Sequence, residues 1–300
     1  MWARRLLSLQ AVDGRTAILG AFLGDSPAIR ELRRRAAEVA AESSPVLLWG
    51  EPGTGKRYLA YLMHRAGRGA HPFVVAAFDG MGRVSWRDLF HQVGEGTVFL
   101  ERIDRASPTD QETLVRTLRE GSVGDRPIAA RIIASSGFDP VVLCEQGLLD
   151  LGLFEAIATH LLAVPPLRER GGDRQILAVH FLRQHRTLGY GEVRWTPAAL
   201  EVFEDLPLAG NVTELECLVL RVAVMRRTGP IGPADVRAAW ALGVEPGLRR
   251  RRADELRAFN GAYLAGILAR AEGGDTPAEL PASLERFVRL WREGARALRG

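Results

Sequence analysis

One stretch constrains this chain more than any other: Gly50-Glu51-Pro52-Gly53-Thr54-Gly55-Lys56-Arg57, set between a short apolar run, Pro45 to Trp49, and a helical pattern from Arg57 to Arg65. Glycines let a backbone wrap closely with its N–H groups turned inward, and the N-terminus of a following helix favours negative charge. A lysine at the end of G-x-x-x-x-G-K reaches the terminal phosphates of a nucleotide. The pattern therefore predicts ATP or ADP bound at Gly50 to Arg57, although glycine-rich turns of this kind also occur in sheets that bind nothing. Composition favours the functional reading: Lys56 is the single lysine against 39 arginines. A chain so biased toward arginine has kept lysine where a compact ammonium is the usual phosphate partner. The Ser or Thr that normally ends the loop, and that ligates magnesium, is Arg57.

A strand leading into such a loop belongs to a parallel sheet, and the flanking pattern agrees. Residues 27 to 42 have apolar positions at helical spacing. Short apolar runs recur at Phe73 to Phe78, Val98 to Leu100, Arg131 to Ser135 and Leu161 to Val164, with helical stretches such as Asp110 to Glu120 between them. Strands alternating with helices predict an α/β fold with both faces of the sheet covered. After Pro165 and Pro166 the strand signals stop, and four helices are expected at about 173 to 188, 197 to 206, 211 to 227 and 233 to 242. Val244 to Gly247 reads as a linker, with helical patterns at Arg249 to Arg270 and Ala282 to Leu298 beyond it.

No apolar run approaches the roughly 20 residues of a spanning helix, and Arg4, Arg5 and the short Leu6 to Leu9 stretch make a poor signal peptide. The reading is cytoplasmic, without membrane contact. Cys144 and Cys217 lack metal-ligand spacing, and of six histidines only His180 and His185 fall near one another, at i and i+5, so neither a zinc site nor a disulfide framework is supported.

From Leu23 to about Gly243 the sequence resembles the AAA+ domain of bacterial sigma-54-dependent transcription activators. LGDSPAIREL matches the start of that domain, GEPGTGKR its phosphate loop and HPFVVAAF its second strand; GTVFLERID, RIIASSGFD, VPPLRERGGD and LAGNVTELE match its later motifs. The resemblance implies an AAA+ parallel sheet sandwiched by helices over 23–169, an all-helical lid over 170–243, and a helical tail over 244–300, after an N-terminal segment 1–22.

It also implies catalytic positions, and here the chain departs from the pattern of the family it resembles. The family's magnesium-binding Asp and water-polarising Glu are Glu101 and Arg102. Glu101 stays a candidate magnesium ligand through its longer side chain, whereas Arg102 cannot orient water through a carboxylate. Asp104, two residues on, would share the face of Arg102 only if the strand continued that far. The Asn that senses the γ-phosphate aligns with Gly137, the two arginines offered to a neighbouring subunit align with Asp150 and Ala156, and the lid arginine aligns with Thr213. An acid in place of an arginine finger reverses its effect on developing charge. The G-A-F-T-G-A loop that grips sigma-54 is missing, because Asp88-Leu89-Phe90 reaches Gly96-Thr97 after five residues.

The net charge of +4 arises entirely after Pro246, where 11 arginines face 7 acids. The family often ends in a Fis-type helix-turn-helix, which Gly273-Gly274-Asp275 and Leu290-Trp291-Arg292 faintly resemble, while Pro277 and Pro281 interrupt it. Arg286, Arg289, Arg292 and Arg296 recur at helical spacing, as a DNA-contacting stripe or as an ordinary solvated face. Three functions remain open on the sequence: a nucleotide-binding, hydrolysis-deficient regulatory or scaffolding protein, whose partners are itself or a complete AAA+ activator; an active ATPase and transcription regulator with atypical catalytic residues; or a DNA-binding regulator that uses the AAA+ part for oligomerisation.

Overall fold

A computed structural model describes residues 14–78, 85–187, 192–226 and 228–243. The chain divides into one compact unit ending at Val236 and a second beginning at Arg237, of which only 237–243 are described. Arg286, Arg289, Arg292 and Arg296 lie outside the described residues.

Short runs of β-branched and aliphatic residues build the central sheet. β1 (Val46–Trp49), β2 (Phe73–Ala77), β3 (Thr97–Glu101), β6 (Arg131–Ser136) and β7 (His160–Ala163) pair in the order β2-β3-β6-β1-β7, all parallel. Successive side chains along each strand point to opposite faces and so enter two different cores. Val46, Leu48, Phe99, Ile133 and Leu162 pack on one side with Leu19 of α1 (Gly14–Leu19), Ile29 and Leu32 of α2 (Pro27–Ala40), and Leu59 and Met63 of α3 (Lys56–Arg68). Leu47, Val98, Leu100, Ile132 and Ala134 pack on the other with α4 (Trp86–Val93), α5 (Pro108–Glu120), α6 (Pro140–Glu145) and α7 (Leu151–Ile157). Phe99 and Ile133 are fully buried, and truncating a side chain like Phe99 to Ala costs about 3–5 kcal/mol. A small hairpin, β4 (Ser122–Val123) with β5 (Arg126–Pro127), follows α5.

The connection from α4 to β3 is short. Gly94, at φ 53°, ends the helix, and the Gly96 N–H donates to the Val93 carbonyl at 2.9 Å, one residue before β3 begins. No insertion interrupts it, in agreement with the deletion read from the sequence.

The lid carries α8 (Asp173–Thr187), α9 (Pro197–Asp205), α10 (Asn211–Arg226) and α11 (Pro233–Ala241), close to the expected spans. It is not all helix: β8 (Val193–Trp195) and β9 (Gly229–Ile231) form a parallel two-stranded ladder. Each strand is three residues long, and Gly229 and Pro230 carry no strand signal, so the helical expectation is corrected at these two places.

Two buried charges tie the layers together. Asp173, the first residue of α8, accepts from the Asp25 N–H at 2.6 Å, the Ser26 N–H at 3.0 Å and the Ser26 hydroxyl at 2.8 Å, across some 148 residues of chain. It thereby satisfies the amide at the start of α2, where Ser26 itself makes no cap. Gly24 permits this approach, because a Cβ there would lie 2.4 Å from a carboxylate oxygen of Asp173. At the other end of α2, the fully buried Arg131 donates to the Val39 and Ala40 carbonyls, each at 2.6 Å, and so places a cation at the helix C-terminus. Burial, and then the nearby Arg68, push the Arg131 guanidinium down to about 10.

Candidate functional site

The loop between β1 and α3 follows its glycines. Gly50, Gly53 and Gly55 adopt φ of 146°, 79° and 98°. At Gly50 and Gly53 a side chain would also collide, with the Val164 carbonyl at 2.4 Å and the Gly210 carbonyl at 2.2 Å, and at Gly55 a Cβ would press on the Phe22 ring at 3.1 Å. Among the hydrogen bonds of the described residues, the N–H groups of Gly53, Thr54, Gly55, Lys56 and Arg57 meet no acceptor. A turn of unpaired N–H groups ahead of a helix N-terminus is an anion cradle. The Lys56 ammonium folds over it, donating to the Gly50 and Glu51 carbonyls at 2.6 and 2.9 Å. Burial first, and Arg102 second, depress its proton affinity to about 8, while Asp104, Glu101 and Glu51 act in the opposite sense.

The loop is braced from outside by Arg168, Arg170 and Asn211, to which the sequence reading assigned no role, and by Thr213, which it placed at the lid-arginine position. The Arg170 guanidinium, almost wholly buried, donates to the Thr54 carbonyl at 2.8 Å and the Pro165 carbonyl at 3.0 Å, and lies 5.4 Å from the centre of the Phe22 ring. Asn211, held at φ 58°, donates through Nδ2 to the Pro52 carbonyl at 2.9 Å and to a Glu51 carboxylate oxygen at 3.1 Å, while its Oδ1 accepts from the Leu167 N–H at 2.8 Å. The Thr213 N–H donates to the Gly53 carbonyl at 3.2 Å. Arg168 pairs with Glu51 at 2.6 Å. Asn211, and then Arg168, hold the Glu51 carboxyl below the usual carboxylate range. Their signal lay in the matched segments VPPLRERGGD and LAGNVTELE, whose chemistry cannot be placed without knowing that the lid lies on the loop.

Beyond the loop, the second motif closes on itself. The Arg57 guanidinium takes both oxygens of Glu101: Nε donates to Oε1 at 3.0 Å and Nη2 donates to Oε2. Strand β3 ends at Glu101, and Arg102 turns to φ 63° with its N–H donating to the Ser135 hydroxyl at 3.2 Å. Strand alternation therefore stops before Asp104, which sits in a short 3₁₀ turn, Ile103–Arg105. The Asp104 side chain is 2% exposed; it accepts from the Gly137 N–H at 2.8 Å and from Arg102 at 3.3 Å. Gly137, at the γ-phosphate-sensing position, thus closes over this carboxylate.

Asp150 has a local task. Its carboxylate caps α7 by accepting from the Leu153 N–H at 2.8 Å, and its N–H donates to Gln111 at 2.8 Å. Ala156 is half-buried further along the same helix. The structure brings Lys56, Arg57, Glu101, Arg102, Asp104 and Gly137 to one end of the sheet.

A magnesium ion fits this donor set poorly. Magnesium requires near-octahedral oxygen donors at about 2.0–2.1 Å. The Glu101 carboxylate faces a guanidinium, Asp104 is buried in two hydrogen bonds, the loop hydroxyl is replaced by Arg57, and the Thr54 hydroxyl donates to the Glu51 carbonyl at 2.9 Å. Glu101 is thus placed where the sequence put a magnesium ligand, but already paired. Among the described residues no cluster of three His, Cys, Asp or Glu side chains forms a metal site, and no helix is long and apolar enough to cross a membrane.

Comparison with known proteins identifies the family and the fold. Residues 23–167 match the family described as the sigma-54 interaction domain, and 168–246 the AAA+ ATPase lid domain. The chain is 34% identical over 240 residues to a Nif-specific regulatory protein of Sinorhizobium fredii, covering 71% of this chain and 40% of the relative. It is 32% identical over 234 residues to the nitric oxide reductase transcription regulator NorR1 of Cupriavidus necator, covering 68% and 45%. The chain therefore spans under half the length of these two relatives. Among solved structures, NtrX from Brucella abortus in complex with ADP has the same fold, with a TM-score of 0.65 at 20% identity over 95% of this chain and 72% of that one.

Proposed function

The chain belongs to the AAA+ family of sigma-54-dependent transcription activators, and from that membership we propose that it binds ATP or ADP, hydrolyses it poorly or not at all, and serves as a regulatory or scaffolding component. Binding is supported by the phosphate cradle, and by NtrX of the same fold, solved with ADP and with ATP. The residues here do the holding: N–H groups of Gly53 to Arg57 face the phosphates, and the Lys56 ammonium turns from its loop carbonyls to the terminal ones.

One observation carries the loss of hydrolysis. The position that should polarise water holds Arg102, and the carboxylate two residues on, Asp104, is buried under Gly137 and Arg102. A general base must reach the proton it takes, and the Asp104 side chain is 2% exposed, with each oxygen already accepting a hydrogen bond from the protein. The finger position Asp150 is likewise occupied in capping α7. Such a subunit holds nucleotide without supplying fingers, which suits it to join or restrain a complete activator, or to pair with itself.

Thermal unfolding with and without nucleotide tests the reading. Ligand at about 100 times its dissociation constant stabilises the fold by about 2.7 kcal/mol, and Lys56→Ala abolishes the shift while leaving the unliganded melting temperature near wild type. Steady ATP turnover that disappears in Lys56→Ala overturns the hydrolysis half of the proposal; an unmoved melting temperature in wild type overturns the binding half.

A further inference from the structure

We propose that nucleotide binds this site without magnesium, the Arg57 guanidinium standing in for the cation. The inference rests on the phosphate-loop reading and deepens it.

In a phosphate-loop site, magnesium sits between the hydroxyl that ends the loop and a carboxylate at the end of a neighbouring strand, and neutralises the phosphate oxygens. Neither protein position matches that arrangement here, although the resembled family itself usually lacks the loop hydroxyl, so the departure peculiar to this chain is the pair the two residues make. The residue after Lys56 is Arg57, and the carboxylate at the end of β3 is Glu101, one methylene longer than aspartate. The two meet in a two-point ion pair, partly shielded from water, from the first turn of α3 to the last residue of β3. The longer acid reaches the guanidinium, which takes both oxygens of the carboxylate that a magnesium ion would need. To bind there, a divalent cation would have to displace an arginine that cannot lose its proton.

The geometry also supplies what the metal would supply. Arg57 is anchored by two of its nitrogens and by the first turn of α3, so its position is fixed before ligand arrives. A guanidinium has five donors in a planar fork; Nε and one terminal nitrogen face Glu101, which leaves the other terminal nitrogen for a phosphate oxygen. Lys56, Arg57 and Arg102 gather at this end of the sheet with two acids, Glu101 paired to Arg57 and Asp104 paired to Arg102, so the cations outnumber the acids by one. Asp104 does not recruit a metal, because both its oxygens are committed to Gly137 and Arg102. A phosphate group bearing its own magnesium brings a second cation against Arg57, so the metal-free polyphosphate is the better ligand on charge alone.

The full chain titrated with ATP and with ADP by calorimetry, once in millimolar magnesium and once in excess EDTA, decides the matter. The expected result is affinity in EDTA equal to that in magnesium within about threefold, or tighter. Affinity tighter by about tenfold or more in magnesium overturns the proposal and leaves the phosphate loop standing. No heat in either condition overturns the phosphate loop and this inference with it. Arg57→Ser, which removes the guanidinium and leaves Glu101 facing a hydroxyl, is expected to gain magnesium dependence of about tenfold. A folded Arg57→Ser protein that binds equally well with and without the metal counts against Arg57 as the substitute cation.

Discussion

At the scale of single residues the site is governed by where protons and charges are held. Lys56 is buried before ligand arrives, with proton affinity depressed to about 8. A phosphate anion restores the ammonium, so its folded-state value rises on binding. Below about pH 7 the lysine is charged in both states and binding takes up no proton. As pH rises from about 8 towards the ordinary lysine value, uptake climbs towards one proton and affinity falls by at most about tenfold per pH unit. Calorimetry in buffers of different ionisation heat measures this directly; zero uptake at about pH 9 contradicts it. The lysine was legible in the sequence because a loop motif is local. The pairing of Arg57 with Glu101 was not, since 44 residues separate them and each was read alone as a departure from its own motif. Asp150 was legible as a lost arginine, but its use as a helix cap was missed although Asp before a helical run is itself a start signal.

Among the elements, long periodic segments and buried strands announce themselves, and pieces of two or three residues do not. The central strands were readable as apolar runs because both their faces are covered. β8 and β9 were not, for a three-residue ladder contains too little alternation to register, and β9 begins with Gly229 and Pro230. The same limit hid α1, six residues long, whose Leu19 is nonetheless fully buried. The joint between α8 and α2 is where an element-scale change will be felt most. Asp173→Ala removes a buried acceptor from two N–H groups and a hydroxyl, and is expected to cost about 3 kcal/mol in urea unfolding. Asp173→Asn, which keeps one acceptor oxygen, should lose less. A midpoint for Asp173→Ala equal to wild type would refute the role of this cap in joining the two elements.

For the whole molecule, the direct passage from α4 to β3 removes the place from which the family's sigma-54 loop projects. Mixed with sigma-54 polymerase and a promoter, this protein alone is expected to give no open complexes in a permanganate footprint; a clear footprint would refute that. The fold tolerates the missing loop because Gly94 and Gly96 close the gap with backbone alone, Gly96 so tightly that a Cβ there would lie 2.1 Å from the Pro72 carbonyl. The three-point grip of Asp173 on Asp25 and Ser26 also sets an order of events. Loop closure over so long a separation is slow relative to local helix formation. During synthesis the chain grows from its N-terminus, so α2 leaves the ribosome long before the residue that caps it exists. All five strands of the sheet are translated in that interval. A nascent chain halted ahead of Asp173 therefore holds every strand of the central sheet and still has an open end on its second helix, which only the first residue of α8 closes.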